Sequence, residues 1–212
     1  MRHPYNSVVL LLSGGIDSTT LLHSLVDDGT SVYAVSFRYG QMHDKELEYA
    51  MRQARLHCES NRIIDLPDIF AGSALTGDRP MPEGNYTDAS MRQTVVPNRN
   101  MVFLSIAASI AIQRKAEAIA YAAHADDFGT YPDCRREFVE AMGAAIKVCD
   151  FAPPRLYVPF LDLRKRDIVA LGRDLGIDYA QTWSCYAGGE EPCGKCGACS
   201  ARNEAIAWNA SP

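Results

Sequence analysis

"VVLLLSGGIDSTTLL", Val8 to Leu22, decides how the rest of the chain is read. The apolar run ending at Leu12 leads straight into Ser13-Gly14-Gly15, and from Asp17 the apolar residues return at helical spacing. That order reads as strand, tight glycine turn and helix start. Neither glycine carries a Cβ, so the turn can bring its N–H groups close to an anion. The helix N-terminus adds about half a positive charge and unpaired donors, which suits phosphate. The lysine of the usual G-x-x-x-x-G-K-[ST] loop is missing, and Asp17 stands among the donors, where it would repel a phosphate. A carboxylate there makes sense if it holds Mg²⁺ that in turn binds the phosphates.

Outward from this stretch the chain alternates strand and helix signals. Tyr5–Leu12, Ser31–Tyr39 and Ser60–Leu66 read as strands; Asp17–Asp28 and His43–His57 read as helices, the second clearly amphipathic. Such alternation predicts βαβ units, and so an α/β fold with a parallel sheet covered on both faces. Residues 67–97 break the pattern with Gly, Pro, Asn and Asp and no lasting periodicity, and read as a long loop that closes over a substrate. A helix from Asn100 to Lys115, a strand at Ala116–Ala123, a helix from about Pro132, another over Lys165–Leu175 and a tail helix near Ala201–Trp208 complete the expected order.

The composition places limits on function. With 212 residues, 47% hydrophobic and 22% charged, the chain is long enough for one sizeable core. A formal charge of -5 argues against extended contact with a nucleic-acid backbone. The longest apolar stretch, near Met101–Ile112, is too short to span a bilayer, and no signal-peptide pattern precedes the glycine loop, so a cytoplasmic protein is expected.

Of seven cysteines, Cys185, Cys193, Cys196 and Cys199 crowd into C-x7-C-x2-C-x2-C. Four thiolates without a partner histidine favour a closed tetrahedral Zn²⁺ site that is structural in purpose, with Lys195 and Arg202 offsetting its charge. A disulfide-linked set and an iron–sulfur cluster are the alternatives. The other three, Cys58, Cys134 and Cys149, read as small buried hydrophobes.

The run S-G-G-x-D-S after a first strand resembles the pyrophosphate loop of the N-type ATP pyrophosphatases, a group that includes GMP and NAD synthetases. That resemblance implies attack at the α-phosphorus with pyrophosphate leaving, hence adenylation. Together with "FRYGQMHDKELEYA" (Phe37–Ala50), "VPNRNMVFLSIAA" (Val96–Ala108), "DFGTYPDCRREF" (Asp127–Phe138) and the cysteine knuckle, the sequence resembles the QueC family from Val8 to Arg202. The resemblance implies a Rossmann-like doubly wound sheet of the adenine nucleotide alpha hydrolase type over residues 1–180, with the zinc knuckle and tail helix over 181–212. It implies conversion of 7-carboxy-7-deazaguanine and ammonia to the nitrile preQ0 at the cost of two ATP, in a homodimer, without nucleic acid or membrane.

By the same resemblance, Leu12, Ser13, Gly14, Gly15, Ile16, Asp17, Ser18, Thr19, Thr20, Leu21 and Leu22 form the ATP-binding run, and Asp17, Ser18 and Lys165 are the expected catalytic set, Lys165 assisting the pyrophosphate. Arg99, Asp127, Tyr131, Asp133 and Arg135 are the expected substrate residues, an arginine suiting a carboxylate and an aspartate the guanine N–H edge. For Asp133 and Arg135 the plainer alternative is local: a helix N-terminus for the first, a pairing with Asp133 or Glu137 for the second. The chain departs from the family pattern at Asn98, where glycine is common and a left-handed backbone is expected, and at His124 and Asp126. His124 is either a satisfied interior histidine or a mark of an altered pocket. Adenylation of a different carboxylate, tRNA thiolation and a non-catalytic zinc module stay open as other functions; the second calls for a basic surface and reactive core cysteines.

Overall fold

The computed structural model describes residues 2–66, 69–77, 79–84 and 89–210. Five parallel strands make one sheet in the order β3-β2-β1-β4-β5: β1 Ser7–Leu11, β2 Ser31–Arg38, β3 Ser60–Asp65, β4 Ala118–Ala120 and β5 Arg155–Tyr157. Between them run α1 Ile16–Asp27, α2 Lys45–His57, α3 Arg99–Arg114 and α4 Arg136–Lys147, followed by α5 Lys165–Asp174 and α6 Gly197–Trp208.

Alternation along β1 explains why helices cover both faces. Val8 and Leu10 pack with Leu21, Leu22 and Leu25 of α1, Ala50 and Ala54 of α2 and Ile168 of α5. Val9 and Leu11 point the other way, onto Phe103, Leu104, Ala107 and Ala111 of α3, with Met142 and Ile146 of α4 in the same cluster. Both faces being buried, β1 and β2 read as apolar runs rather than as alternating ones. The strand order reverses at β1, whose neighbours are β2 on one side and β4 on the other. Ligands of such sheets bind outside the carboxyl ends of the strands at this switch, and the Ser13–Ser18 loop lies there.

The expected doubly wound α/β sheet is present, with differences in detail. β5 was not anticipated: three residues carry no legible period, and the strand exists because Ala118–Ala120 offer it a paired edge. α4 starts at Arg136, after a separate 3-10 turn over Pro132–Cys134. α6 starts at Gly197, inside the cysteine knuckle rather than beyond it. The expected loop 67–97 includes residues 67, 68, 78 and 85–88, which lie outside the described residues. Its remainder carries 3-10 turns at Ala74–Thr76 and Ala89–Thr94 and buries Ser73, Ala74, Leu75, Met91 and Thr94. Cys134 is buried as expected, but Cys58 is only partly so and Cys149 is exposed, because it follows the end of α4 where no element covers it.

Candidate active site and metal centre

The glycine loop is built by two unlike glycines. Gly14 has φ +81, and a Cβ there would lie 2.3 Å from the Glu46 carbonyl oxygen and 2.7 Å from the Ala50 nitrogen. Its bareness therefore lets α2 press against the loop, a different reason from the approach of an anion. Gly15 has extended backbone (φ -78, ψ 172), and a Cβ there would meet only the Ser13 hydroxyl at 3.4 Å and the Trp183 carbonyl at 3.6 Å, ordinary contact distances. No side chain caps α1. The Ser18 hydroxyl lies 3.0 Å from that of Ser13 and accepts from the Ser13 N–H at 3.2 Å, which closes the turn.

A cleft of about 230 Å³ opens beside this loop. Its walls include Ser13, Gly15, Asp17 and Ser18 from the loop, Arg99 from α3, Asp127 and Tyr131 from the β4–α4 connection, and Lys165 from α5. The lysine absent from the loop is thus supplied in space by the first residue of α5: Lys165 Nζ stands 3.0 Å from Asp17 Oδ2. His124 completes the group, its Nε2 lying 3.6 Å from Asp17 Oδ2 and 3.5 Å from Asp127 Oδ2.

The charges tune one another. Burial alone would raise the Asp17 carboxyl, but Lys165 and His124 hold it well below the usual range. Burial likewise works against charge on His124 and Lys165, yet Asp127 and Asp17 raise the first and Asp17 and Asp127 the second. The opposed charges thus support one another across the group, and Asp17 Oδ1 is buried without a hydrogen-bond partner. A bare, buried carboxylate oxygen beside a glycine turn fits the hard-cation ligand that the sequence led us to expect.

The expected substrate residues divide. Arg99, Asp127 and Tyr131 line the cleft. Arg99 donates to the Tyr39 hydroxyl at 3.2 Å, and the Tyr131 hydroxyl meets those of Thr94 (2.8 Å) and Tyr186 (3.4 Å). Asp133 does not line it; its Oδ2 accepts from the Asn100 N–H at 3.1 Å and so caps α3 rather than the helix that follows it. Asn98, at φ 62, makes the left-handed turn that starts α3. Arg135 is exposed and donates through Nε to the Phe128 carbonyl at 2.7 Å, neither to Asp133 nor to Glu137. Of the run 12–22, Leu12, Ser13, Gly15, Asp17 and Ser18 line the cleft, whereas Leu21 and Leu22 pack into the core and the Thr20 hydroxyl faces that of Tyr179. Ile16 and Thr19 are buried.

Sequence reasoning missed Glu46, Tyr39, Tyr121, Trp183 and Tyr186, all in the cleft wall. Glu46 and Tyr39 fall within the quoted stretch Phe37–Ala50, so the signal was present but unassigned.

Cys185, Cys193, Cys196 and Cys199 hold their sulfur atoms within 4.8 Å of one another, a set that could bind a metal ion. The Cys193 N–H donates to the Cys185 sulfur (3.3 Å) and the Cys196 N–H to the Cys193 sulfur (3.4 Å), bonds that favour thiolates. Tetrahedral Zn²⁺ with Zn–S of about 2.3 Å separates its sulfurs by about 3.8 Å, which this arrangement accommodates. The expected counter-charges act at a distance: Lys195 pairs with Glu83 and Arg202 donates to Thr182 and the Tyr179 carbonyl, while Lys195 feels the charge of Cys193 and Arg202 that of Cys199. The knuckle is wired to the glycine loop, since the Trp183 N–H donates to the Gly14 carbonyl (2.9 Å) and its indole N–H to the Cys185 carbonyl (3.0 Å).

Residues 7–210 match the family model described as queuosine biosynthesis protein QueC. The chain is 53% identical over 201 residues to the 7-cyano-7-deazaguanine synthase of Caldicellulosiruptor saccharolyticus, covering 93% of this chain and 89% of that protein. It is 52% identical to the 7-cyano-7-deazaguanine synthase of Methanoregula boonei, covering 93% of each. Among solved structures, NMN synthetase from Francisella tularensis superposes with a TM-score of 0.54 over 90% of this chain and 71% of that one; at 14% identity the likeness concerns the fold alone.

Proposed function

We infer the chemistry from one premise: this chain belongs to the QueC family and is a 7-cyano-7-deazaguanine synthase, an ATP-dependent enzyme of queuosine biosynthesis. The observation that carries the residue roles is the meeting of the Ser13–Ser18 loop, Lys165 and Arg99 in one cleft. We propose that the loop N–H groups and the α1 N-terminus bind the β,γ-phosphates of ATP, with Lys165 steadying the departing pyrophosphate. Asp17 would hold Mg²⁺ through its unpartnered oxygen; when bound, the ion offsets phosphate charge.

The chemistry follows from leaving groups. A carboxylate does not yield to ammonia because oxide cannot leave. Attack of the carboxylate oxygen on the α-phosphorus expels pyrophosphate and gives an acyl adenylate; ammonia displaces AMP and leaves the amide. The amide oxygen then attacks a second ATP in the same way, and loss of AMP and protons forms the nitrile. Both oxygens of the acid depart in AMP, so one ATP site serves twice. Arg99, kept charged among Tyr39, Tyr186, Asp133 and Tyr131, is suited to hold the carboxylate in line. Tyr131 and Asp127 would fix the other side of the substrate.

The four-cysteine cluster is proposed to hold one structural Zn²⁺, which would fasten the knuckle to the start of α6. The working unit is proposed to be a homodimer, to be tested by sedimentation equilibrium. Sulfur transfer is disfavoured at this site, because burial pushes Cys134, the thiol in the cleft wall, well above its ordinary value and away from the reactive thiolate.

The test is mass spectrometry of a reaction holding the zinc-loaded protein, Mg-ATP, ammonium and 7-carboxy-7-deazaguanine. The nitrile is expected together with two AMP per product. AMP without nitrile would point to another carboxylate, and an absence of AMP would remove the proposed role of the loop.

A further inference from the structure

Glu46, in the first turn of α2, is a carboxylate with no assigned task in the wall of the cleft. Its placement is over-determined. Its own carbonyl oxygen occupies the space that a Cβ on Gly14 would need, so α2 and the ATP loop cannot shift independently. Its side chain is aimed by Gln41, whose Nε2 donates to Glu46 Oε1 at 3.2 Å and to the Phe37 carbonyl at 3.3 Å. Gln41 is fixed in turn, since its Oε1 accepts from the Tyr39 N–H at 2.7 Å.

The other oxygen, Oε2, has no hydrogen-bond partner among the described residues, and no cation there forms an ion pair with Glu46. The walls of the same cleft include Val35, Phe37, Phe103 and Tyr121, with the rings of Phe37 and Phe103 stacked on each other at 3.9 Å. A carboxylate in a cleft that also has aromatic walls suits a planar ligand that presents N–H donors.

The two heterocycles of the reaction differ at that edge. The 7-deazaguanine ring presents N1–H and its 2-amino group side by side, two donors that one carboxylate can accept together. Adenine presents an amino donor beside the N1 acceptor, whose lone pair would face the carboxylate. We propose that Glu46 is the specificity-determining residue that accepts the N1–H and 2-amino donors of the 7-deazaguanine acid, with Gln41 as the positioning residue that aims it. The assignment rests on the synthase activity for the identity of that acid. Burial pushes Glu46 up to about 7, against the pull of Arg99 and the Gln41 bond and with help from Asp44, so N–H donors arriving at Oε2 would supply what the carboxylate lacks.

Calorimetry on the full chain tests this, using 7-carboxy-7-deazaguanine and its analogue without the 2-amino group. Glu46→Gln is expected to weaken binding of the acid by at least about 10-fold and to narrow the preference of the wild type for the amino-bearing ligand, while the KM for ATP stays within about twofold. Wild-type discrimination in the variant, or a raised KM for ATP with unchanged binding of the acid, overturns the assignment. Where Glu46→Gln does not fold, Glu46→Asp keeps the charge and shortens its reach, and the same narrowing is expected or the proposal fails. Binding without nitrile formation in the wild type would instead count against the activity and leave Glu46 to be judged by the ratio.

Discussion

Gly14 and Gly15 are adjacent and chemically identical, yet their surroundings demand different things of them. Alanine at position 14 would have to adopt φ +81 with its Cβ 2.3 Å from backbone, so Gly14→Ala is expected to destabilise by about 2 kcal/mol or more. Gly15→Ala meets only ordinary contacts, and is expected to keep its melting temperature within about 2 °C while raising the KM for ATP about tenfold. Thermal melts and ATP kinetics on both variants decide the matter; equal melting temperatures would show that α2 does not press on the loop as described. The buried quartet makes a second prediction. His124 is raised despite burial, because Asp127 and Asp17 face it. Its contribution to stability is therefore complete below the unfolded value of about 6.5 and is lost as pH rises through the higher folded value. The stability difference between wild type and His124→Gln should shrink from pH of about 6 towards 9. A difference that stays constant over that range would show that the imidazole is not charged in the fold. The sequence named each of these residues except in one respect: it could not tell that His124 faces Asp17, which is more than 100 positions away.

At the scale of elements, the cysteine knuckle is more than an appendage. Cys196 is the N-cap of α6 and Cys199 lies in its first turn, while Trp183 ties the cluster to Gly14. Structural zinc in small metal-binding peptides is worth on the order of 10 kcal/mol, and here that stabilisation would act on α6 and the loop together. Chelation of the metal should raise amide hydrogen exchange over residues 185–208 first, leave β1 and β2 protected, and weaken ATP binding. Loss of protection spread evenly over the whole chain would contradict a local role. The strands taught the opposite lesson about legibility. β1 and β2 announce themselves by apolar runs, whereas Arg155–Tyr157 is a strand only because β4 lies beside it.

Over the whole molecule, the cleft is assembled from pieces spread along nearly the entire chain, from Leu11 to Ala198. The connection between β3 and α3 reaches the knuckle as well: Glu83 bridges Cys196, the Gly84 N–H donates to the Lys195 carbonyl at 3.2 Å, and Lys195 pairs with Glu83. We propose that the described part of this connection, residues 69–77, 79–84 and 89–97, acts as the lid of the site, held at Glu83 by the four-cysteine knuckle. Limited proteolysis should show cleavage within it slowed by ATP and the acid together, and Glu83→Ala should restore part of the cleavage. Equal cleavage with and without ligands would sink the idea.

The sequence by itself determined the α/β class, the phosphate loop, the four clustered thiols and the family, because each is written in local order: a period, a turn or a fixed spacing. Asn98 was legible for the same reason, its left-handed backbone being a property of one residue and its neighbours. Only the tertiary structure decided which expected residues share a site. Arg99, Asp127 and Tyr131 reach the cleft, whereas Asp133 is spent on capping α3 and Arg135 on a carbonyl. It also decided that the missing lysine arrives from α5 and that Glu46 faces the cleft beside Gly14. The physical reason is that these outcomes depend on which helices the sheet brings together at its switch point, and on how closely a bare glycine lets one of them approach.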